Sequence, residues 1–184
     1  LSSSSAASDV YKRQLLSSIE SNDPVLYFEH KKAYRFLKEE VPETYYTVPL
    51  GKADVKRPGE DITVFCYGLM VNYCLQAADI LANDGIDAEV VDLRTVYPLD
   101  KATIIERSQR TGKVLLVTED NLEGSIMSEV SAIIAENCLF DLDAPIMRLA
   151  APDVPSMPFS PTLENEIMMN PEKIQDKMRE LAQF

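Results

Sequence analysis

Three carboxylates stand close together directly after an apolar run that is typical of a buried strand. Glu119, Asp120 and Glu123 follow residues 113–118 and precede a helical pattern that begins at Ser125. Functional groups gather at the carboxyl ends of strands in α/β sheets, so these acids could bind a cation or form the rim of an interface with a basic partner. They would equally stabilise the positive end of the helix dipole, and the sequence leaves both interpretations open.

The other residue types that perform catalysis are few and scattered. His30 is the one histidine, and no Gly-x-Ser-x-Gly elbow accompanies it, so the sequence does not indicate a serine hydrolase. His30 itself fits either a structural contact or a ligand-facing role. Cys66, Cys74 and Cys138 are widely spaced, which favours reduced, buried thiols over a disulfide framework or a zinc site.

Nucleotide-binding loops are also missing from the sequence. The six glycines form neither Gly-x-Gly-x-x-Gly nor a P-loop. These patterns therefore identify no catalytic, cofactor-binding or metal-ligating residue in this chain. Reduced thiols are typical of a cytoplasmic protein, which is the localisation that we expect.

The composition describes an ordinary globular chain with a strong negative charge. The 184 residues are 46% hydrophobic and 26% charged, with a net charge of -12. This balance disfavours nucleic acid and anionic membrane surfaces as partners and favours a basic protein. No apolar run reaches the ~18 residues that a transmembrane helix needs.

The elements that must position the acids follow a regular pattern after residue 60. Apolar runs predict strands at residues 62–67, 88–93, 113–118 and 146–149, because each run is strand-sized and nearly continuous. Helical patterns separate these runs, and Asp100 and Asn170 are expected to cap two helices. The fold class is therefore α/β, a parallel sheet with helices on both faces. Residues 151–170 are rich in proline and are expected to form a surface loop.

Several motifs carry a resemblance to a known family. They are Asp-Ile-Thr-Val at 61–64, Tyr67-Gly68, Val-Asp-Leu-Arg-Thr-Val-Tyr-Pro-Leu-Asp at 91–100, Thr-Gly-Lys at 111–113, and Glu119. They resemble the transketolase C-terminal domain and, more closely, the beta subunit of the decarboxylating component of thiamine-diphosphate-dependent 2-oxoacid dehydrogenase complexes. Residues 124–130 and 140–149 resemble the branched-chain (2-oxoisovalerate) type. The family often has His at the position of Thr118, and threonine offers no imidazole for a proton relay there.

The resemblance implies a division of the chain. Residues 15–46 would be the tail of a pyrimidine-binding domain, with a buried strand at 25–28; residues 47–60 would be a linker, and 61–184 a transketolase C-terminal domain. Residues 1–14 are Ser-rich and aperiodic, and are expected to be a non-native or disordered leader. Thiamine diphosphate and magnesium would belong to the whole enzyme, so neither is expected to bind this chain alone, and the chain alone is expected to be inactive.

The resemblance also implies partners: an alpha subunit, a second beta subunit, and the basic subunit-binding domain of a lipoyl acyltransferase. Asp153 and Phe184 are the candidate docking residues for that domain, and Glu119, Asp120 and Glu123 are the candidate interface rim. Pyruvate or acetoin dehydrogenase beta subunits are alternatives to the branched-chain type. A non-enzymatic binding module and a transketolase-like sugar-phosphate enzyme are further alternatives, which the genes next to this one or the sequence upstream would separate.

Overall fold

The computed structural model describes residues 9–33 and 44–184, with side chains from residue 12 onward. Five strands form one sheet in the order β1-β3-β2-β4-β5. Their bounds are β1 Asp54–Arg57, β2 Ile62–Cys66, β3 Ala88–Asp92, β4 Val114–Asn121 and β5 Met147–Ala151. Strands β2 to β5 run parallel to one another, which confirms the predicted fold class.

Strand β1 is an antiparallel edge strand that the sequence did not predict. It lies inside the expected linker of residues 47–60 and pairs with β3, where Asp54 stands opposite Asp92. Its four residues, Asp-Val-Lys-Arg, are all half-buried, so they carry no apolar run to mark a strand. The sheet is therefore mixed, although its predicted strands are parallel.

Helices connect the strands and cover both faces of the sheet. Their bounds are α1 Asp9–Glu20, α2 Leu69–Ala82, α3 Lys101–Thr111, α4 Ile126–Cys138, α5 Pro161–Ile167 and α6 Pro171–Ala182, with a 3-10 turn at Leu139–Asp141. The predicted caps are confirmed. The Asp100 side chain accepts a hydrogen bond from the Thr103 N–H, and the Asn170 side chain accepts one from the Lys173 N–H.

Alternate residues of the central strands belong to two apolar clusters, one on each face of the sheet. Val64, Val90 and Leu115 pack with α2 and α6 on one face of the sheet. Their neighbours in sequence, Phe65, Val91 and Leu116, pack with α3 and α4 on the other face. Each of these side chains is fully buried and stabilises the fold by roughly 2 kcal/mol. Cys66, Cys74 and Cys138 are free and buried among them.

The predicted strand at residues 25–28 is wrong. These residues have no strand partner in the described part of the chain, and the side chains of Leu26 and Phe28 are 85% and 81% exposed. β-Forming residue types alone do not make a strand, because the backbone needs a neighbouring strand to accept its hydrogen bonds. The proline-rich loop also differs from expectation, because it contains α5, which starts with a proline in its first turn.

The expected leader does not end at residue 14, because that boundary falls inside helix α1. The Arg13 side chain is buried, and its guanidinium donates a 2.8 Å hydrogen bond to the Thr44 carbonyl and stacks 3.5 Å from the ring centroid of Tyr46. Residues 9–14 of the expected leader therefore belong to a helix, and one of their side chains, that of Arg13, is buried. Residues 1–8 and 34–43, which include other parts of the expected leader and of the expected pyrimidine-domain tail, lie outside the described residues.

None of the helices in the described residues is both long enough and apolar enough to span a bilayer.

Candidate functional site

The carboxyl end of the sheet, where β2 to β5 finish, is the place to look for function. In the sheet, β3 lies on one side of β2 and β4 lies on the other side, so the chain changes direction across the sheet after β3. This reversal creates a crevice between the ends of β2 and β4, and such switch points are the usual ligand sites in open α/β sheets. Residues that follow these two strands therefore define the candidate site.

A hydrogen bond between two side chains crosses this crevice. Tyr67, directly after β2, places its hydroxyl 2.9 Å from the Thr118 hydroxyl on β4. Burial raises the pKa of the Tyr67 phenol; the negative charges of Asp120 and Glu119 raise it as well, while the bond to Thr118 lowers it. Tyr67 therefore stays neutral and acts here as a structural bridge.

The mouth of the crevice is covered by residues 30–33 of the same chain. His30 Nε2 lies 3.1 Å from Glu119 Oε2, and the Lys32 N–H donates to His30 Nδ1 at 3.2 Å. These partners suit the tautomer in which Nε2 carries the proton, because Nε2 then donates to the carboxylate while Nδ1 accepts. The Lys32 ammonium donates to the Tyr73 hydroxyl at 2.8 Å on α2. Ala33 is buried beneath this turn.

The three acids of the expected rim do lie together at this end of the sheet. Glu119 and Asp120 are among the last residues of β4. This strand is longer than predicted, because Asn121 still pairs with Ala151 of β5. Glu123 follows in the loop before α4, and all three residues are exposed. Of these acids, Glu119 is engaged by His30.

The two candidate docking residues are far apart. Asp153 is exposed and follows the end of β5, so it lies at the carboxyl end of the sheet. Phe184 follows α6, whose last turn lies at the opposite, amino end, because the Lys113 ammonium reaches the Ala182 carbonyl there. Strand β4 separates the two ends by roughly 20 Å, at about 3.3 Å per residue. A contact of a few side chains on one copy cannot include both residues.

Asp153 instead joins the rim. Strands β4 and β5 are neighbours, so Asp153 follows the strand next to the one that precedes the other acids. We name Glu119, Asp120, Glu123 and Asp153 the acidic rim. Sequence alone could not assemble this group, because it depends on the order of strands in the sheet.

These residues do not fit a site for a magnesium diphosphate. Within residues 9–33 and 44–184, no group of three or more His, Cys, Asp or Glu side chains is arranged to hold a metal ion. We assign no step of cofactor chemistry to the residues of this chain.

The fold defines an open α/β domain whose chain direction reverses between β2 and β4. Comparison with known proteins identifies the family of this domain. The family model for the transketolase C-terminal domain matches residues 51–174. The chain belongs to this family. A solved structure of a split gene transketolase, an inactive beta4 tetramer, matches 83% of this chain and 53% of its own with a TM-score of 0.66 and 24% identity, which supports the fold alone.

Curated relatives are considerably more similar. The 2-oxoisovalerate dehydrogenase subunit beta of Bacillus subtilis (strain 168) is 64% identical over 94% of this chain. From the same organism, the acetoin:2,6-dichlorophenolindophenol oxidoreductase subunit beta is 47% identical over 89%, and the pyruvate dehydrogenase E1 component subunit beta is 46% identical over 94%. The resemblance to beta subunits of this class is therefore confirmed, and of these three it is greatest to the branched-chain type.

The match covers only part of each relative. The chain spans about half the length of the curated relatives: 53%, 47% and 53% respectively.

Sequence reasoning missed the contacts that close the crevice. His30 and Glu119 are 89 positions apart, and Lys32 and Tyr73 are 41 apart. The positions of Tyr67 and Thr118 at two strand ends were the available signal, because switch-point residues meet across the crevice. Nothing in the local sequence shows that residues 30–33 return to cover it.

Proposed function

We propose that this chain is the C-terminal domain of the beta subunit of a branched-chain 2-oxoacid dehydrogenase. In the whole enzyme, 2-oxoisovalerate and related acids are decarboxylated on thiamine diphosphate with magnesium, and the acyl group passes to a lipoyl acyltransferase. The observation that supports this proposal is the 64% identity to the 2-oxoisovalerate relative, against 47% and 46% for the acetoin and pyruvate relatives.

Within that enzyme, the domain supplies contacts rather than chemistry. Its partners are an alpha subunit, a second beta subunit and the basic subunit-binding domain of the acyltransferase. The acidic rim and the net charge of -12 suit a basic partner, because complementary charges speed association and exclude wrong partners. Free buried thiols suit a cytoplasmic location.

The substrate is tested on the longer beta subunit that carries this sequence, expressed with its alpha subunit. We expect kcat/KM for 2-oxoisovalerate to exceed that for pyruvate by at least about tenfold, which corresponds to ~1.4 kcal/mol of transition-state discrimination. A preference for pyruvate or acetoin would assign the chain to one of those two types. Turnover of sugar phosphates with no oxoacid activity would support a transketolase instead.

The chain alone supplies a second test. We expect no decarboxylation of 2-oxoisovalerate by residues 1–184 with added thiamine diphosphate and magnesium, because the described residues provide no metal-binding group of carboxylates. Turnover above the background of a heat-denatured sample would contradict the proposal that this chain supplies contacts and not catalysis.

Docking is tested by calorimetry with the isolated subunit-binding domain of the acyltransferase. Asp153→Asn is expected to weaken binding by ~1 to 3 kcal/mol, with less effect at high salt, because a charged hydrogen-bond acceptor is lost. Adding residues after Phe184 tests the other end of the sheet separately. Glu136→Gln, an exposed acid on α4 outside the rim, is the control. Wild-type affinity for both test variants would remove Asp153 and Phe184 from the site.

A further inference from the structure

Residues 152–168 connect β5 to the segment before α6, and their backbone is unusually restricted. Four prolines lie in the first ten of these residues, at positions 152, 155, 158 and 161. Each proline fixes its own φ, so proline-rich stretches behave as semi-rigid spacers and not as flexible chains. We name residues 152–168 the proline segment. Asp153 stands at its beginning and helix α5 at its end.

Helix α5 has little of its own to hold it in place. It is seven residues long, and isolated helices shorter than about 12 residues are marginal in water. The Ser160 side chain, at the N-cap position, makes no capping hydrogen bond, and none of the seven residues of α5 is buried. The stability of this helix therefore depends on contacts from outside it.

The ammonium of Lys173, in the first turn of α6, supplies such a contact. It donates hydrogen bonds to the carbonyl oxygens of Asn165, Glu166 and Met168, at 3.1, 2.6 and 2.8 Å. An ammonium group has three donors, and all three are used here. The last carbonyls of a helix have no partner within the helix and stand at the negative end of its dipole, so a cation stabilises them.

No other polar contact ties the proline segment to the domain. In the part of the chain that the structure describes, Lys173 is the one residue outside 152–168 that is joined to this segment by a hydrogen bond or an ion pair. The bond from the Ser156 hydroxyl to the Met157 carbonyl, for example, is internal. Segments with few fixed contacts open at a low free-energy cost, so Lys173 acts as the latch of this one.

The latch and Asp153 are connected through the prolines. The sheet fixes the start of the segment, because Ala151 pairs with Asn121 of β4. Lys173 fixes its end, and the prolines restrict the backbone between them, so the directions open to the Asp153 carboxylate are limited as well. A binding group that is already held in its bound arrangement loses less conformational entropy when a partner arrives.

We propose that Lys173 is a positioning residue for docking, because its ammonium holds α5 and so preorganises Asp153 for the basic subunit-binding domain. A lysine carries the same sign of charge as that domain, so Lys173 can favour docking only through the proline segment. When the ammonium is removed, the segment samples other arrangements, and the apparent Kd rises as the docking-competent fraction falls. The inference rests on the proposed function, which makes Asp153 a docking residue.

Amide hydrogen exchange of the 184-residue chain measures the latch without any partner. Lys173→Met keeps the length of the side chain and the backbone N–H that donates to the Asn170 side chain, so the cap of α6 remains. We expect this change to speed exchange in residues 164–168 by at least about tenfold and to leave α6 protected. Lys177→Met is the matched control, because the Lys177 ammonium bonds Glu180 of the same helix at 2.8 Å. Equal exchange in the two variants overturns the proposal.

Calorimetry with the isolated subunit-binding domain measures the effect on docking. Lys173→Met is expected to raise the Kd by about three- to tenfold, and Lys173→Arg, which keeps the charge and the donors, should raise it less. Lys177→Met removes the same charge without touching the proline segment, so its affinity should not fall below that of the wild type. Equal losses in Lys173→Met and Lys177→Met would overturn the positioning role.

Asp153→Asn separates positioning from a direct contact. If Lys173 acts through Asp153, Lys173→Met should have little further effect when Asp153→Asn is present, whereas additive losses would overturn the inference. Wild-type affinity of Lys173→Met beside weaker binding of Asp153→Asn would overturn the inference and leave the docking site standing. Wild-type affinity of Asp153→Asn would overturn both. The oxoacid assay depends on neither result, so the proposed substrate stands or falls separately.

Discussion

Two groups of acids at opposite ends of the sheet differ in burial and in pairing. At the amino end, Glu89 on β3 is fully buried, and its carboxylate meets Arg107 at 3.5 Å, Arg110 at 3.4 Å and the Thr63 hydroxyl at 3.1 Å. At the carboxyl end, Asp120 and Glu123 are exposed. A buried carboxylate must be paired because desolvation is costly, whereas exposed acids remain available to a partner. The buried Glu89 cluster is therefore built for stability, whereas the exposed acids that follow β4 suit contact with a partner.

A glycine at the amino end gives the largest expected effect. An added Cβ at Gly59 would lie 2.3 Å from the Ala88 carbonyl carbon and 2.3 Å from the Glu89 nitrogen, and neither backbone atom can move without displacing β3. We expect Gly59→Ala to lower the free energy of unfolding by more than ~3 kcal/mol, or to prevent folding. Urea unfolding measures it, and a stability loss below about 1 kcal/mol would show that this end tolerates rearrangement.

The Glu89 cluster gives the next effect. Arg110→Met removes one of the two cations beside the buried carboxylate, and we expect a loss of ~2 kcal/mol. Glu123→Gln at the carboxyl end is the control and should change stability by less than about 0.5 kcal/mol. Equal losses would contradict the difference between the two ends.

The contribution of the Glu89 carboxylate to stability should depend on pH. Burial raises the pKa of Glu89, against the opposing influence of Arg110, Thr63 and Arg107. The folded state therefore holds the proton more tightly than the unfolded state, so this contribution is complete below the unfolded pKa and is lost as pH rises through the folded pKa. Relative to Glu89→Gln, the wild-type chain should lose stability as pH rises from about 4 to 7. A difference that stays constant over this range would show that the pKa is not raised.

A glycine at the carboxyl end gives a smaller effect for a different reason. Gly124 has a φ of 73°, and an added Cβ would meet no atom within 4 Å. Gly124→Ala should therefore cost about 1 kcal/mol from backbone strain alone. A loss as large as that of Gly59→Ala would mean that the carboxyl end is as tightly packed as the amino end.

The sequence predicted the parts of the fold that depend on local patterns. The apolar runs of β2, β3 and β4 marked buried strands because both of their faces are covered. Asp100 and Asn170 marked helix starts because their side chains satisfy free N–H groups. Strand β1 was missed because its Asp-Val-Lys-Arg sequence pairs only at the edge of a completed sheet.

The position of the acids at the end of a strand was predicted, and their contacts were not. Acids at the end of β4 follow from a general rule for α/β sheets, and Glu119 and Asp120 obey it. The grouping of Asp153 with them, and the separation of Phe184, depend on strand order and on the direction of α6, which no local pattern encodes. The left-handed Arg94 carries no local signal either, because it is imposed by its long-range ion pair with Asp54.

The smallest expected effect concerns the turn that covers the crevice. The His30 and Glu119 side chains are 26% and 38% exposed, so their hydrogen bond should contribute no more than about 1 kcal/mol to global stability. Its effect should instead be local, because this contact and the bond from Lys32 to Tyr73 join residues 30–33 to two different elements. Glu119→Gln should speed amide hydrogen exchange in residues 24–33 and leave exchange in β2 and β4 unchanged.

Tyr73→Phe removes the other contact, and the double variant should release the turn further than either change alone. Unchanged exchange in all three variants would show that buried Ala33, and not these polar contacts, holds the turn on the sheet.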